Sequence, residues 1–117
     1  MASSYEIRPT AVPLTADARA ERMVNPGFGR IFTEHMVSLS YTEGRGWHSG
    51  RLGPYEPLQM DPASSVLHYG QAIFEGFKAY HQPKDGSVRT FRPFENAARF
   101  NNSARRLAMP DLPEELF

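Results

Sequence analysis

The chain has 117 residues, of which 40% are hydrophobic, and its 13 Lys and Arg balance its 13 Asp and Glu. A chain of this size can form one core, but it cannot form a two-domain enzyme around an enclosed cleft, so any deep site must be shared. The zero formal charge removes the long-range field that draws proteins to nucleic acid or anionic membranes. We therefore expect neither as a partner.

Metal and thiol chemistry are also disfavoured by composition. The chain contains no cysteine, which excludes disulfides and thiolate catalysis. Its four histidines lie 13 or 20 residues apart, unlike the close pairs of dedicated metal sites, so no metal site is expected. Residues 1–8 lack the apolar run of a signal peptide, and no stretch approaches the ~20 apolar residues of a membrane span. We expect a cytoplasmic protein.

The first half of the chain predicts one short helix and a pair of strands. Residues 15–23 read as a helix that Thr15 or Asp17 could cap. Residues 31–41 then alternate with a period of two, which is typical of a strand with one solvated face. The glycine-containing segment 42–46 predicts a turn, and residues 47–55 return as a second strand.

The second half predicts a further hairpin followed by a longer helix. Residues 57–60 could form a short strand, and residues 65–69 are apolar enough to be buried. Residues 73–80 read as a strand that turns at 84–86 and returns over 88–91, because Asp and Gly tolerate positive φ. A helix begins at Pro93 and runs to about residue 108.

The last helix carries a single apolar stripe, and the chain ends in a second amphipathic pattern. The stripe recurs at helical spacing and comprises Ala97, Phe100, Ala104, Leu107 and Ala108. Leu112, Leu116 and Phe117 indicate a further helix that is just beginning, which suggests the front portion of a longer polypeptide. The elements together predict an α+β fold.

Two groups of residues could form a binding site. On a strand over 73–80, Phe74 and Gly76 would share one face, and the missing side chain of Gly76 could leave room for a ligand or only for a bulge or close packing. Arg99 and Arg106 lie two turns apart on the helix and could face an anion. From the residues alone a solvated helix face with a Glu95–Arg99 pair is the favoured interpretation.

No complete catalytic constellation is visible. Tyr69 beside His68 is interpreted as a core aromatic with a bonded hydroxyl rather than an acid–base pair. Asp61 and Glu75 are lone carboxylates, since a paired acid and base needs a second group at known distance. Lys78 remains possible as a nucleophile by composition alone.

Four segments in order, 28–36, 44–47, 67–80 and 91–107, resemble the N-terminal small domain of branched-chain amino-acid aminotransferases. These are pyridoxal phosphate enzymes of fold type IV. The resemblance implies an antiparallel meander sheet with helices packed on one side, preceded by an arm over residues 1–27, with the small domain over 28–117. It also implies that the Schiff-base lysine lies in a larger C-terminal domain absent from this chain, so Lys78 is not that lysine and no catalytic residue is assigned here.

The resemblance also assigns individual residues. Arg99 matches the arginine that binds the phosphate of pyridoxal phosphate, which replaces the solvated-face interpretation for that residue. Phe74 and Gly76 match a Phe-Glu-Gly motif that lines the substrate side-chain pocket, Tyr69 matches a tyrosine contributed to the neighbouring subunit's pocket, and Phe28 resembles a further apolar wall. No metal ligand is implied.

The implied activity is amino-group transfer from Leu, Ile or Val to 2-oxoglutarate by a homodimer of the longer polypeptide. Its partners would be amino acids and 2-oxo acids, and the isolated 117 residues would be inactive. Alternatives are a D-amino-acid aminotransferase or an aminodeoxychorismate lyase of the same fold. A non-catalytic dimerisation or ligand-binding module is an alternative of another class.

Overall fold

A computed structural model describes residues 5–117 of the chain; residues 1–4, at the start of the predicted arm, lie outside the described part. The chain divides into two compact units, one ending at Gln59 and the other beginning at Met60. Helices and strands occur in both units, so the chain is a small mixed α/β structure. Each unit is described by itself.

The helix of the first unit, α1, spans Ala16–Met23. Thr15 adopts an extended conformation ahead of it, and its side chain accepts a hydrogen bond from the backbone N–H of Ala18. This bond satisfies one of the free N–H groups of the first turn, which is why the helix begins there. The predicted helix and its Thr15 cap are confirmed.

The sheet of the first unit contains three strands in the order β1-β3-β2. Strands β2 (His35–Thr42) and β3 (Gly46–Pro54) form an antiparallel hairpin whose register pairs His35 with Pro54 and Thr42 with Gly46. The predicted hairpin is confirmed, although β2 begins four residues later than the alternation suggested. The short strand β1 (Glu6–Ile7) adds to the other side of β3 in parallel.

A bulge interrupts the hairpin. Ser38 pairs with Arg51 and Ser40 with His48, so two residues of β3, Ser49 and Gly50, lie opposite the single residue between Ser38 and Ser40. Ser49 has a φ of 56°, an uncommon conformation for a residue with a side chain. A β-carbon at Gly50 would lie 2.9 Å from the Tyr5 ring, so the glycine permits this close approach.

The second unit contains two helices, a two-stranded hairpin and a terminal turn of helix. Helix α2 spans Ser65–Tyr69, strands β4 (Ala79–His81) and β5 (Val88–Thr90) pair antiparallel, and helix α3 spans Pro93–Arg106. A 3₁₀ helix follows at Glu114–Leu116, where the sequence indicated the start of an amphipathic helix.

Three expectations for this part of the chain are wrong. Residues 57–60 form no strand. Residues 65–69 form a helix rather than a buried segment, and Leu67 and Tyr69 are exposed. Residues 73–78 are irregular, and only Ala79–His81 of the predicted strand pairs with β5. Phe74 and Gly76 therefore do not share a strand face.

Helix α3 carries the buried residues of the second unit, Ala97, Asn101 and Ala104. Pro93 occupies its first turn, as predicted, because a missing N–H costs nothing there. Of the predicted apolar stripe, Ala97 and Ala104 are buried, whereas Leu107 is 39% exposed. Buried alanines allow close approach of other backbone to this face of the helix.

Candidate functional site

Arg99 projects from the middle of α3 and binds the carboxylate of Glu75 in a two-pronged ion pair. Its Nε donates to Oε2 at 2.7 Å, and its Nη2 donates to Oε1. The two side chains differ in environment, since that of Glu75 is 6% exposed and that of Arg99 is 67% exposed. The guanidinium is thus fixed on one edge and open to solvent on the rest.

Two further donors complete the surroundings of Glu75. Asn96, one turn before Arg99 on α3, donates through Nδ2 to Oε1 at 3.0 Å, and the backbone N–H of Gly76 donates to the same oxygen at 3.0 Å. The hydrogen bonds from Arg99, then from Asn96, hold the pKa of Glu75 at about 2. Glu75 in turn raises the pKa of Arg99.

The segment that carries Glu75 is tied to α3 at both ends. Gly70 ends α2 in a left-handed conformation, with a φ of 61°, and turns the chain. The side-chain amide of Gln71 then donates to the carbonyl of Leu107 at 2.8 Å, just past the end of α3. Residues 71–76 therefore run alongside α3 from its C-terminal end toward Arg99.

The other predicted pocket residues are all exposed. Phe74 is 92% exposed and Tyr69 is 87% exposed. Gly76 borders open space, since no atom would lie within 4 Å of a β-carbon placed there. In the first unit, Phe28 is 100% exposed. The structure thus places Arg99 against the residue between Phe74 and Gly76, but within the second unit Tyr69, Phe74 and Gly76 form no closed hollow.

Several residue-level interpretations are overturned by these contacts. Glu95 pairs with Arg92 at 2.7 Å, not with Arg99 as the helix spacing suggested. The interpretation of Tyr69 as a core aromatic is wrong because the side chain is exposed. His68 instead bonds the carbonyl of Pro62 through Nε2 at 2.5 Å.

Glu75 and Asn96 are the site residues that sequence reasoning missed. From the sequence Glu75 is a lone carboxylate, because no second group at known distance is evident. Its partners Arg99 and Asn96 lie 24 and 21 positions further along the chain. The signal that could have found them is the pairing of an acidic residue with an arginine and an amide three residues apart on one helix face.

Arg99 lines a surface depression of about 350 Å³ together with Glu95, Asn96, Ala98 and Asn102. A guanidinium has five N–H donors, of which Glu75 engages two, so three remain for a second ligand. Such a group recognises phosphate or carboxylate. In residues 5–117 no group of three or more His, Asp or Glu could hold a metal ion.

Comparison with known proteins shows what the chain is similar to. No family model matches the chain. Over 114 residues, 97% of its length, the chain is 61% identical to a probable branched-chain-amino-acid aminotransferase of Streptomyces coelicolor. It is 56% identical over 105 residues to a branched-chain-amino-acid aminotransferase of Mycolicibacterium smegmatis. It is also 56% identical over 90 residues to branched-chain-amino-acid transaminase 1 of Bacillus subtilis.

The relatives are aminotransferases by name, and that is the class of protein the match defines. Over the residues that it matches, the chain is similar to branched-chain-amino-acid aminotransferases. It covers 31% of the Streptomyces relative and 28% of the Mycolicibacterium relative, so it spans about a third of the length of the proteins it resembles. Across residues 5–117, no helix combines the length and apolar character needed to cross a membrane.

Proposed function

We propose that the protein carrying this segment transfers the amino group of Leu, Ile or Val to 2-oxoglutarate, giving a branched-chain 2-oxo acid and glutamate. The observation that carries the proposal is the 61% identity to an aminotransferase over 97% of the chain. The segment would act as the small domain of a fold type IV enzyme. Residues 1–27 would form an arm, and residues 28–117 would form an antiparallel meander sheet with helices on one side. The whole protein would be a cytoplasmic homodimer.

The cofactor of such an enzyme is pyridoxal phosphate, and the residues of α3 fit its phosphate. Arg99 has three N–H groups left after it binds Glu75, and most of its side chain is accessible. The depression beside Arg99 is also lined by Glu95, Asn96 and Asn102, and the Nδ2 group of Asn96 already donates to Glu75. Arg99 is therefore our proposed phosphate ligand, and Asn96 and Asn102 are polar neighbours.

Phe74 and Gly76 would line the pocket for the substrate side chain, Tyr69 would contribute to the pocket of the neighbouring subunit, and Phe28 would supply a further apolar wall. The three aromatic side chains are almost fully exposed, and Gly76 borders open space. Each buried methylene of a Leu, Ile or Val side chain would contribute about 0.8 kcal/mol, whereas a charged side chain would lose its hydration without a partner. An apolar wall of this kind selects aliphatic substrates.

When bound, pyridoxal phosphate supplies an electron sink for the bond changes at the substrate's α carbon. The residues of this chain would bind and orient: Arg99 would hold the phosphate end, and the residues around Gly76 would hold the substrate's aliphatic end. No proton-transferring group is assigned to this segment. Lys78 is exposed, and the family's Schiff-base lysine would lie in the larger C-terminal domain.

The proposal is tested by a hybrid enzyme in which this chain replaces the corresponding residues of the Streptomyces coelicolor relative. With pyridoxal phosphate and 2-oxoglutarate, the hybrid should form glutamate from L-leucine, L-isoleucine and L-valine. Turnover of D-alanine or aminodeoxychorismate in preference to L-leucine would instead favour the other enzymes of the fold. A folded hybrid that binds no cofactor would favour a non-catalytic module.

The separated chain is the matched control. Incubated with the same substrates and cofactor, it should give no sustained glutamate formation, because no residue of the segment is assigned the lysine's role. Sustained turnover by the separated chain would show that the placement of that lysine outside this segment is wrong.

A further inference from the structure

We propose that Glu75 is a positioning residue that keeps hold of one edge of the Arg99 guanidinium while the opposite edge, at Nη1, binds the cofactor phosphate. The inference rests on the proposed function and deepens it. It assigns a role to the middle residue of the Phe-Glu-Gly segment, whose neighbours Phe74 and Gly76 are the proposed pocket walls.

The first argument comes from how completely Glu75 is bound. Its carboxylate accepts hydrogen bonds from Arg99 Nε, Arg99 Nη2, Asn96 Nδ2 and the Gly76 N–H. With its side chain 6% exposed, it has little access to a substrate or to water. A carboxylate so bound is poorly suited to proton transfer and well suited to fixing its partners.

The second argument comes from the geometry of the guanidinium. Glu75 takes the edge formed by Nε and Nη2, so both N–H groups of Nη1 point away from the carboxylate. Because the guanidinium is planar and rigid, fixing one edge fixes the direction of the other. An anion would meet a donor that is already oriented, which lowers the ordering cost of binding.

The third argument comes from charge. Glu75 offsets much of the positive charge of Arg99, so the pair attracts a phosphate less strongly at long range than a free arginine would. The advantage of the arrangement must therefore lie in orientation. The same carboxylate binds Arg99 on α3 and the backbone N–H of Gly76. Glu75 therefore links the proposed phosphate ligand to the proposed substrate pocket.

The test uses the hybrid enzyme and two cofactor forms, pyridoxal phosphate and pyridoxal, which lacks the phosphate. Glu75→Gln should weaken pyridoxal phosphate binding by about tenfold or more, the order expected for loss of a charge-assisted contact. Pyridoxal binding should change less than about twofold, since no phosphate contact is involved. In an Arg99→Gln background, Glu75→Gln should have no further effect on pyridoxal phosphate binding.

Matched variants separate the effect of where the Glu75 carboxylate lies from the effects of losing a negative charge and of destabilising the fold. Asp85→Asn removes the same charge from a carboxylate that pairs with Arg89 in the hairpin turn, and it should leave both affinities unchanged. Glu75→Asp keeps the charge but shortens the side chain by one methylene, so it should also weaken pyridoxal phosphate binding. Affinity equal to that of the unsubstituted hybrid in both Glu75 variants would overturn the inference.

A measurement on the unsubstituted hybrid covers the case in which the Glu75 variants do not fold. When pyridoxal phosphate is added, the proton NMR resonance of Arg99 Nε–H should keep its chemical shift, and its exchange with water should remain slow. The resonance of the Nη1 protons should shift. Movement of the Nε resonance with loss of its protection would mean that Arg99 leaves Glu75 for the phosphate, and the inference would be wrong. Absence of cofactor binding by the unsubstituted hybrid would instead overturn the proposed function, and this inference with it.

Discussion

Asn101 and Leu112 exchange two hydrogen bonds, each of 2.8 Å: the side-chain Nδ2 of Asn101 donates to the Leu112 carbonyl, and the Leu112 N–H donates to Asn101 Oδ1. Asn101 is 7% exposed and lies on the inner face of α3 beside Ala97 and Ala104. The side-chain amide thus donates one hydrogen bond to the Leu112 backbone and accepts one from it, as a paired strand residue would. It binds the segment after α3 to the helix.

Replacement of Asn101 by Ala should destabilise the second unit by about 1–3 kcal/mol, because the partly buried N–H and carbonyl of Leu112 would lose their hydrogen-bond partner. The effect should appear as faster amide hydrogen exchange at Leu112 and a lower midpoint in urea unfolding. Asn102→Ala, at an exposed position on the same helix, is the control and should change stability by less than about 0.5 kcal/mol. Equal effects of the two variants would contradict the role assigned to Asn101.

The Glu75–Arg99 contact should depend on pH in the acid range only. The pKa of Glu75 is lowered from 4.5 to about 2, so the folded state binds this proton less readily than the unfolded chain does. Its contribution to stability is therefore complete above pH 4.5 and is lost as the pH falls toward 2. The carbon-13 resonance of the Glu75 carboxylate should titrate near the lower value, and a midpoint near 4.5 would contradict the contact.

Gly50→Ala should disturb the edge of the three-stranded sheet. The added β-carbon would lie 2.9 Å from Tyr5 Cδ1 and 3.1 Å from Leu39 Cδ1, so the Tyr5 ring must move. A cost of about 1–3 kcal/mol is expected from such overpacking. Amide hydrogen exchange at Arg8, whose N–H donates to the Leu52 carbonyl at 2.8 Å, should report the loosening of β1.

Gly76→Ala should not crowd the fold as Gly50→Ala does, because no atom would lie within 4 Å of the added β-carbon. The substitution should change the free energy of unfolding by less than about 0.5 kcal/mol, which thermal unfolding would measure. In the hybrid enzyme, however, the added methyl group would occupy part of the proposed pocket. The KM for L-leucine should rise by about threefold or more while pyridoxal phosphate affinity is unchanged, and an unchanged KM would remove Gly76 from the pocket.

The parts of the fold that the sequence predicts well are those decided by neighbouring residues. Thr15 caps a helix that begins immediately after it, and the Lys-Asp-Gly segment at 84–86 lies at the turn between β4 and β5. These features depend on local backbone preference, which a short window of sequence contains.

Residues 73–78 show why local reasoning fails elsewhere. Their apolar and β-forming side chains are typical of a strand, yet only Ala79–His81 finds a partner strand. The segment is held instead by Gln71 and Glu75, whose partners lie on or just beyond α3. The same separation in sequence is why the role of Glu75 is not visible in its neighbouring residues, whereas Arg99 is assigned by resemblance. The spacing of Asn96 and Arg99 on one helix face is visible locally, but the identity of their acidic partner is not.

The tie between Glu75 and Arg99 also constrains the order in which the second unit can assemble. The two residues are 24 positions apart, and the β4–β5 hairpin lies between them. Closing a long flexible loop costs more conformational entropy than closing a short one, so a preformed hairpin shortens the loop that remains. The hairpin and α3 should thus form before the ion pair. The contact between Glu75 and Arg99 would then stabilise elements that have already formed.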